Sequence, residues 1–357
     1  MKKIIYYISD HGFGHATRSI AIIDALLKNF PNIEIIVRTS KSATLVQRSL
    51  NSSRARLLSR KNDFGLISNP TTFAIDIEKT KEQLVSWIDT WPQYNEIERE
   101  FLQRVDASLV LSDIVPQPFL VAHELGIPSI GISNFDWYDV YKPLFPKNEI
   151  IEKIKFCYEL GSMALILPME LPMEGFKRKQ KIAMISREIN DDLAAFRRQE
   201  FNYQIYYGTG FSLETPLLDT QLLFEKNICL IVPYNSPLRE QNNIFKIPLD
   251  EVHSQNIIAA SDLIITKPGY GTVSEAIKGR KPLALIKSNF SAETKAITQN
   301  VIEMGVGREI SLEDLLTGGW INEIENLLNM RKNYENLPER YIKDGCSEII
   351  NIITEII

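Results

Sequence analysis

The sequence predicts an α/β protein of two Rossmann-like domains, each a doubly wound parallel sheet, facing one another across a cleft. Three observations predict it. Short apolar runs alternate with longer amphipathic stretches, the pattern of parallel strands joined by right-handed helical crossovers. The alternation is interrupted between Met173 and Arg198 by a basic and then densely charged segment, and resumes in a second series of similar length. At 357 residues the chain exceeds one ordinary core and suits two, at roughly 100–200 residues each.

In the first series the strand candidates are Ile4–Ile8, Glu34–Thr39, Ser108–Ser112, Ser129–Ser133 and Ala164–Leu167. Several are apolar on both faces, as expected when helices cover both sides of a parallel sheet. Helical periodicity falls at Thr17–Asn29, Lys81–Arg104 and Gln117–Leu125. The second series offers strands at Tyr203–Tyr207, Cys229–Val232, Ile244–Ile247, Leu263–Ile265 and Leu283–Ile286. Its helices fall at Leu217–Lys226, His253–Ala260 and Val273–Lys278. A linker near Ile185–Asn190 then divides the chain into domains of residues 1–188 and 189–340. The run Lys177-Arg-Lys-Gln-Lys181 reads as a solvated face of that linker.

Composition narrows the function classes. The chain is 44% hydrophobic and 24% charged, which is soluble globular protein, and no stretch approaches the roughly 20 apolar residues of a membrane span. A net charge of −5 gives no overall attraction to nucleic acid or anionic lipid, so an anionic ligand needs a local site. Cys157, Cys229 and Cys346 are odd in number and far apart, with neither metal spacing nor a disulfide framework. A cytoplasmic location is the expectation.

The sharpest local signal is Lys267-Pro-Gly-Tyr-Gly-Thr-Val-Ser-Glu275, following the strand Leu263–Ile265. Two glycines at a strand-to-helix junction allow a tight turn and bring bare amides close to a ligand. The helix start adds free N–H groups and a partial positive charge, which suit a diphosphate. Lys267 adds a full charge, and Glu275, one turn in, could accept from a ribose diol. The competing reading is a glycine-shaped loop with Glu275 supporting the helix start.

The longer segment from Ala260 to Leu283 resembles the donor site of GT-B glycosyltransferases. It is most similar to the group containing the peptidoglycan N-acetylglucosaminyltransferase and the plant UDP-glycosyltransferases. The resemblance implies that Gly269, Tyr270, Gly271 and Thr272 hold the diphosphate and Glu275 the ribose. It implies a glycine-rich loop facing the cleft at Gly208 and Gly210. It also implies a terminal helix, residues 341–357, crossing back onto the first domain. The family's next strand is often followed by an acid and Gln that contact the donor sugar; here Glu293 keeps the acid and Thr294 replaces the amide, which leaves the sugar open. A solvated helix-start carboxylate is the alternative for Glu293.

The first strand runs into Ser9-Asp-His-Gly-Phe-Gly-His-Ala-Thr-Arg18, at the sheet edge where open α/β proteins bind ligands. Histidines at 11 and 15 suggest a metal pair, but Gly12-Phe13-Gly14 argues against a helix between them and no third ligand is evident. No metal is therefore expected, and His11 is read as a hydrogen-bonded structural residue. The loop resembles the Gly-His element of the same family and the glycosyltransferase-like part of plant L-arabinokinases. That resemblance makes His15 the general base and Asp113, ending the strand Ser108–Ser112, the acid behind it. Gly14 would open the cleft toward the donor. Asp113 could instead cap a helix beginning near Pro116.

Arg18 could meet a phosphorylated or carboxylated acceptor, or form an exposed ion pair. Phe135 and Trp137, in an aromatic run, could stack on acceptor sugar or serve as core. The function expected is inverting transfer of a hexosyl or N-acetylhexosaminyl group from a nucleotide diphosphate sugar, most simply UDP-linked, to an acceptor hydroxyl. No metal or cofactor is expected, and no nucleic-acid partner. A lipid acceptor would bring peripheral membrane contact. The alternatives are a nucleotide-sugar sensor or scaffold without turnover, and a nucleotide-sugar 2-epimerase.

Overall fold

The structure, a computed structural model, describes residues 1–67, 75–190, 196–208, 220–287 and 291–357. The first domain contains strands β1 (Lys2–Ile8), β2 (Ile33–Arg38), β3 (Ala55–Leu57), β4 (Leu109–Asp113), β5 (Ser129–Ser133), β6 (Met163–Ile166) and β7 (Lys179–Lys181). They form one parallel sheet in the order β3-β2-β1-β4-β5-β6-β7. The second contains β8 (Tyr203–Gly208), β9 (Ile228–Val232), β10 (Ile244–Lys246), β11 (Leu263–Thr266), β12 (Leu283–Ile286) and β13 (Gly307–Ile310). Its order is β10-β9-β8-β11-β12-β13, also parallel throughout. In both sheets the chain starts at a central strand, winds outward, then returns to the other side. That reversal leaves a crevice beyond the carboxyl ends of β1 and β4 in one domain and of β8 and β11 in the other.

The sequence pattern explains these elements. Ile4–Ile8 is fully buried because helices cover both faces of β1. The helix Phe13–Asn29 turns Ile20, Ile23, Leu26 and Leu27 inward at helical spacing. Two expectations need correction. The stretch Lys81–Arg104 is not one helix but two, Ile77–Asp89 and Trp91–Val105. Pro92 has no N–H to donate and its ring would clash with the preceding turn, so it opens a new helix. The basic run at 177–181 is not all linker: Lys179–Lys181 pairs with β6 as the short edge strand β7, its side chains exposed. Charged side chains on a short edge strand block further pairing.

The chain crosses between the domains on a segment anchored residue by residue. Ile182 N donates to Ile166 O at 3.0 Å, and Ala183 N to Glu348 Oε1 at 2.8 Å. Met184 N donates to Arg340 O at 2.7 Å, and Ile185 N to Tyr270 Oη at 3.2 Å. Glu348 belongs to the terminal helix Gly345–Thr354, which packs on the first helix and is capped by Asp344. Gly345 is required there, since a Cβ would lie 2.2 Å from Ala183 O. One apolar core runs from the first sheet through Ile20 and Tyr270 to Ile349 and Ile353, joining both domains and the terminal helix. Among the described residues no helix is long and apolar enough to cross a membrane.

Candidate active site

The β1–β4 pairing aligns Ile8 with Asp113, which sets the end of β4 beside the loop that leaves β1. The helix begins earlier than its periodicity indicates, at Phe13 with Gly12 as N-cap, so His15 lies in its first turn. Its Nδ1 is 2.9 Å from Asp113 Oδ1, and His15 is 5% and Asp113 0% exposed. The helix Gln117–Glu124 has Pro116 as N-cap and no side-chain cap, so Asp113 serves His15 and not that helix.

Arg18 is not turned toward an acceptor. It is 2% exposed and lies against Asp113, its Nε donating to Oδ2 at 2.7 Å and its Nη2 to Oδ1 at 2.6 Å. Nη2 also reaches Ser133 Oγ at 2.9 Å, and Nη1 donates to Asn134 Oδ1 at 2.6 Å. Nη2 lies 2.7 Å from His15 Nδ1 as well, and proton counting assigns the tautomer. The two protons of Nη2 are used by Asp113 Oδ1 and Ser133 Oγ. A bare Nδ1 would set its lone pair against that of Oδ1, so Nδ1 carries the proton and gives it to Asp113. Nε2 is then the free lone pair, with no hydrogen-bond partner among the described residues. Burial alone would raise the Asp113 carboxyl, but Arg18 and then His15 hold it below the usual range.

Asp10 fastens the loop. Its carboxylate accepts from Thr39 Oγ1, from the amides of Ser40 and Lys41, and from Asn62 N, at 2.8–3.0 Å. His11 is held by packing where a ring hydrogen bond was expected. It sits edge-on to Trp137 at 5.3 Å, and a Cβ on Gly65 would overlap its ring at 1.5 Å. Burial, then His15, Lys267 and Lys41, lower its pKa to about 3. Phe135 and Trp137, read as acceptor contacts, are core: each is 1% exposed. Phe135 packs edge-on to His15 at 5.6 Å, and Trp137 stacks on Tyr141 and donates from Nε1 to Asp63 Oδ2 at 2.9 Å. With an aromatic run this hydrophobic, burial offers more than a solvated platform.

Across the crevice, the helix Tyr270–Lys278 starts three residues before its periodicity suggests, with Gly269 as N-cap. Lys267, Gly269 and Thr272 keep partial exposure at that helix start. Burial lowers the Lys267 pKa while Glu293 opposes the shift. The first-turn amides of the helix have no intrahelical partner and supply a positive end. Tyr270 faces the other way: it is 2% exposed, accepts from Ile185 N, and lies under the Arg18 guanidinium at 5.1 Å. Gly271 is explained by close approach, since a Cβ there would meet Thr17 Oγ1 at 2.7 Å and Gly14 Cα at 3.0 Å. Gly14 and Gly271 thus let the opening turns of two helices, one from each domain, touch.

Gly208 ends β8, where a Cβ would overlap the Tyr206 ring at 2.5 Å; Gly210 lies outside the described residues. Glu275 is 3% exposed, with Oε1 accepting from Arg187 Nε at 2.7 Å. Thr294 forms a capping box with Ser291 at the start of Ala292–Glu303, which accounts for the residue found where the family has an amide. Glu293 on that turn faces the first domain, its Oε1 3.5 Å from Asn134 Nδ2. Burial raises its pKa, opposed by His15 and Arg18. His15, Lys267 and Glu293 therefore come together where the two domains meet, with Asp113 and Asn134 fully buried behind them.

A family model described as glycosyl transferase family 1 matches residues 2–317. The chain belongs to glycosyl transferase family 1. Among curated proteins this family member is 25% identical over 345 residues to an Arabidopsis thaliana L-arabinokinase, covering 92% of this chain and 32% of that relative. It thus spans about a third of that protein. Solved structures share the GT-B fold. The calicheamicin glycosyltransferase CalG4 superposes with a TM-score of 0.70 at 15% identity, over 100% of this chain and 98% of that one. UGT2 of Phytolacca americana, complexed with UDP-2fluoro-glucose and pterostilbene, gives 0.65 at 11% identity and 99% coverage of both chains. S. aureus MnaA with UDP gives 0.62 at 16%, over 99% of this chain and 96% of that one.

Sequence reasoning missed Arg187, Asn134, Asp10 and Asp63 within this family 1 site. Asp10 lies inside the histidine loop, and Asn134 directly precedes the aromatic run at Phe135. Arg187 lay in the charged linker, with nothing local to distinguish it.

Proposed function

We propose that the chain transfers a hexosyl or N-acetylhexosaminyl group from a UDP-sugar to an acceptor hydroxyl with inversion. The observation that carries this reading is His15, with Nδ1–H on Asp113 and Nε2 free, bordering the same crevice as the amino end of the helix Tyr270–Lys278.

The diphosphate is held by the helix start around Gly269 and Thr272 and by Lys267; the ribose is held by Glu275, and the sugar meets Glu293. The acceptor hydroxyl attacks the anomeric carbon as the bond from that carbon to the β-phosphate oxygen breaks. His15 Nε2 takes the hydroxyl proton, and Asp113 stabilises the resulting imidazolium through Nδ1–H. The electron pair of the broken bond leaves on the diphosphate. Lys267 and the helix dipole stabilise it there, so the step is written with no metal or cofactor. Residues 1–188 supply the acceptor side and the base, residues 189–340 the donor side, and residues 341–357 tie the donor half back to the first domain.

The test is a thermal-shift panel of nucleoside diphosphates and their sugars, followed by donor hydrolysis in wild type and His15→Ala. The reading expects stabilisation by UDP and UDP-sugars and slow hydrolysis lost in His15→Ala, with the released sugar of opposite anomeric configuration by NMR. Binding with no turnover in either protein would favour a sensor. No stabilisation by any nucleotide would remove the donor site altogether.

A further inference from the structure

The inter-domain segment places a second charged residue at the donor helix. Arg187 is 6% exposed and makes three hydrogen bonds, each to the second domain. Its Nε donates to Glu275 Oε1 at 2.7 Å, Nη1 to Val252 O at 2.5 Å, and Nη2 to Ser254 Oγ at 2.9 Å. An isolated Arg–carboxylate pair prefers the two-pronged arrangement, in which two N–H groups meet both oxygens. Here Nη1 turns to Val252 O and Nη2 to Ser254 Oγ, and only Nε meets the carboxylate, at one oxygen of Glu275.

Glu275 is 3% exposed and its Oε2 has no donor among the described residues. Oε2 is not among the enclosed, unpartnered polar atoms, so it is left open to accept from a ligand donor. Tyr206, whose hydroxyl burial and then Glu275 push up to about 12, stands beside the carboxylate, next to Gly208 at the end of β8. The open oxygen therefore sits at the carboxyl edge of the second sheet, where a ribose diol would arrive.

We propose that Arg187 is the positioning residue of the ribose subsite: it holds Glu275 turned so that Oε2 alone accepts from the diol. The proposal rests on the reading of this helix as the nucleotide-sugar site. It also ties that subsite to the domain crossing. Ile185, two residues earlier, donates to Tyr270 Oη on the same helix, so the segment carrying Arg187 follows the donor half. Without the guanidinium, Glu275 would swing away, and the diol would lose its acceptor.

The experiment is calorimetric titration of the full chain with UDP and with 2′,3′-dideoxy-UDP, for wild type, Arg187→Met and Arg187→Lys, each checked for folding by thermal melt. Wild type should prefer the ribose form by about 10-fold or more, the usual worth of a hydrogen bond to a charged group. In Arg187→Met that preference should fall to within about 2-fold, while dideoxy-UDP affinity holds. Arg187→Lys should recover part of it, and carries the test alone if Arg187→Met does not fold. A variant that folds and keeps the full ribose preference overturns the role of Arg187 and leaves the donor site standing. Wild type that binds neither nucleotide overturns both.

Discussion

His15 and Asp113 meet through a 2.9 Å Nδ1···Oδ1 contact, and Arg18 grips the same carboxylate from the other side with both Nε and Nη2. Asp113 thus has two tasks, orienting the imidazole and neutralising a buried arginine. Asp113→Asn should separate them. An amide can offer its NH₂ to Nδ1, which favours the tautomer with the proton on Nε2 and removes the base. Turnover should fall by about 10²–10⁴-fold, as in His15→Ala, with UDP affinity nearly unchanged. Only the Asp113 variant should also lose stability, by up to about 3–5 kcal/mol, because Arg18 stays buried without its full counter-charge. Transfer assays and denaturant melts check the two effects.

The contact between Gly14 and Gly271 predicts a graded series. Gly271→Ala places a methyl 2.7 Å from Thr17 Oγ1 and 3.0 Å from Gly14 Cα, and should cost about 1–3 kcal/mol. Gly14→Ala meets only Gly271 N, at 3.3 Å, and the helical preference for alanine, about 1 kcal/mol, should offset most of that crowding. Gly12→Ala has nothing within 4 Å, so its cost should be only that of a poorer N-cap, below about 1 kcal/mol. Thermal melts that rank the three otherwise would dispute the closeness of the two helices.

Glu293 borders the base from the opposite domain, while the diphosphate is assigned to other residues. Glu293→Ala should therefore weaken a UDP-sugar by about 10-fold and leave UDP within about 2-fold. Equal losses for both ligands would move Glu293 off the sugar.

The histidine at 11 makes a pH prediction. Its pKa falls from 6.5 to about 3 on folding, so folded protein holds the neutral ring more firmly than unfolded chain does. For a base whose pKa is depressed, the stability is fully present above the unfolded value and is lost as pH falls toward the folded one. Between pH 7 and pH 5 wild type should therefore lose about 2 kcal/mol relative to His11→Phe. Urea melts of both proteins at the two values measure it, and a gap that does not change with pH would contradict the packing of that ring against Trp137.

The parallel sheets were legible because β1, β4, β5, β11 and β12 are apolar runs bounded by turn residues. The strands Ala55–Leu57, Lys179–Lys181 and Gly307–Ile310 were not, since these short edge strands carry charge where inner strands carry isoleucine. Both histidine and glycine motifs were legible as local patterns, and their helix starts were misjudged by three or four residues because capping is by glycine backbone and not by a side chain. Long-range partnership was the illegible part. Arg18 looked like a cleft residue because its helix position faces the site, but Asp113, ninety-five residues away, captures it. Likewise Phe135 and Trp137 sit in a segment suited to sugar stacking, yet Tyr141 and Asp63 draw Trp137 into the core.

A crystal structure of the chain with an intact UDP-sugar tests the site most directly. The diphosphate should lie on the amides at Gly269 to Thr272 with Lys267 beside it, and the ribose on Glu275. The anomeric carbon should face His15 Nε2 across room for one acceptor hydroxyl. A nucleotide bound away from the helix Tyr270–Lys278, or an anomeric carbon turned from His15, would contradict this assignment.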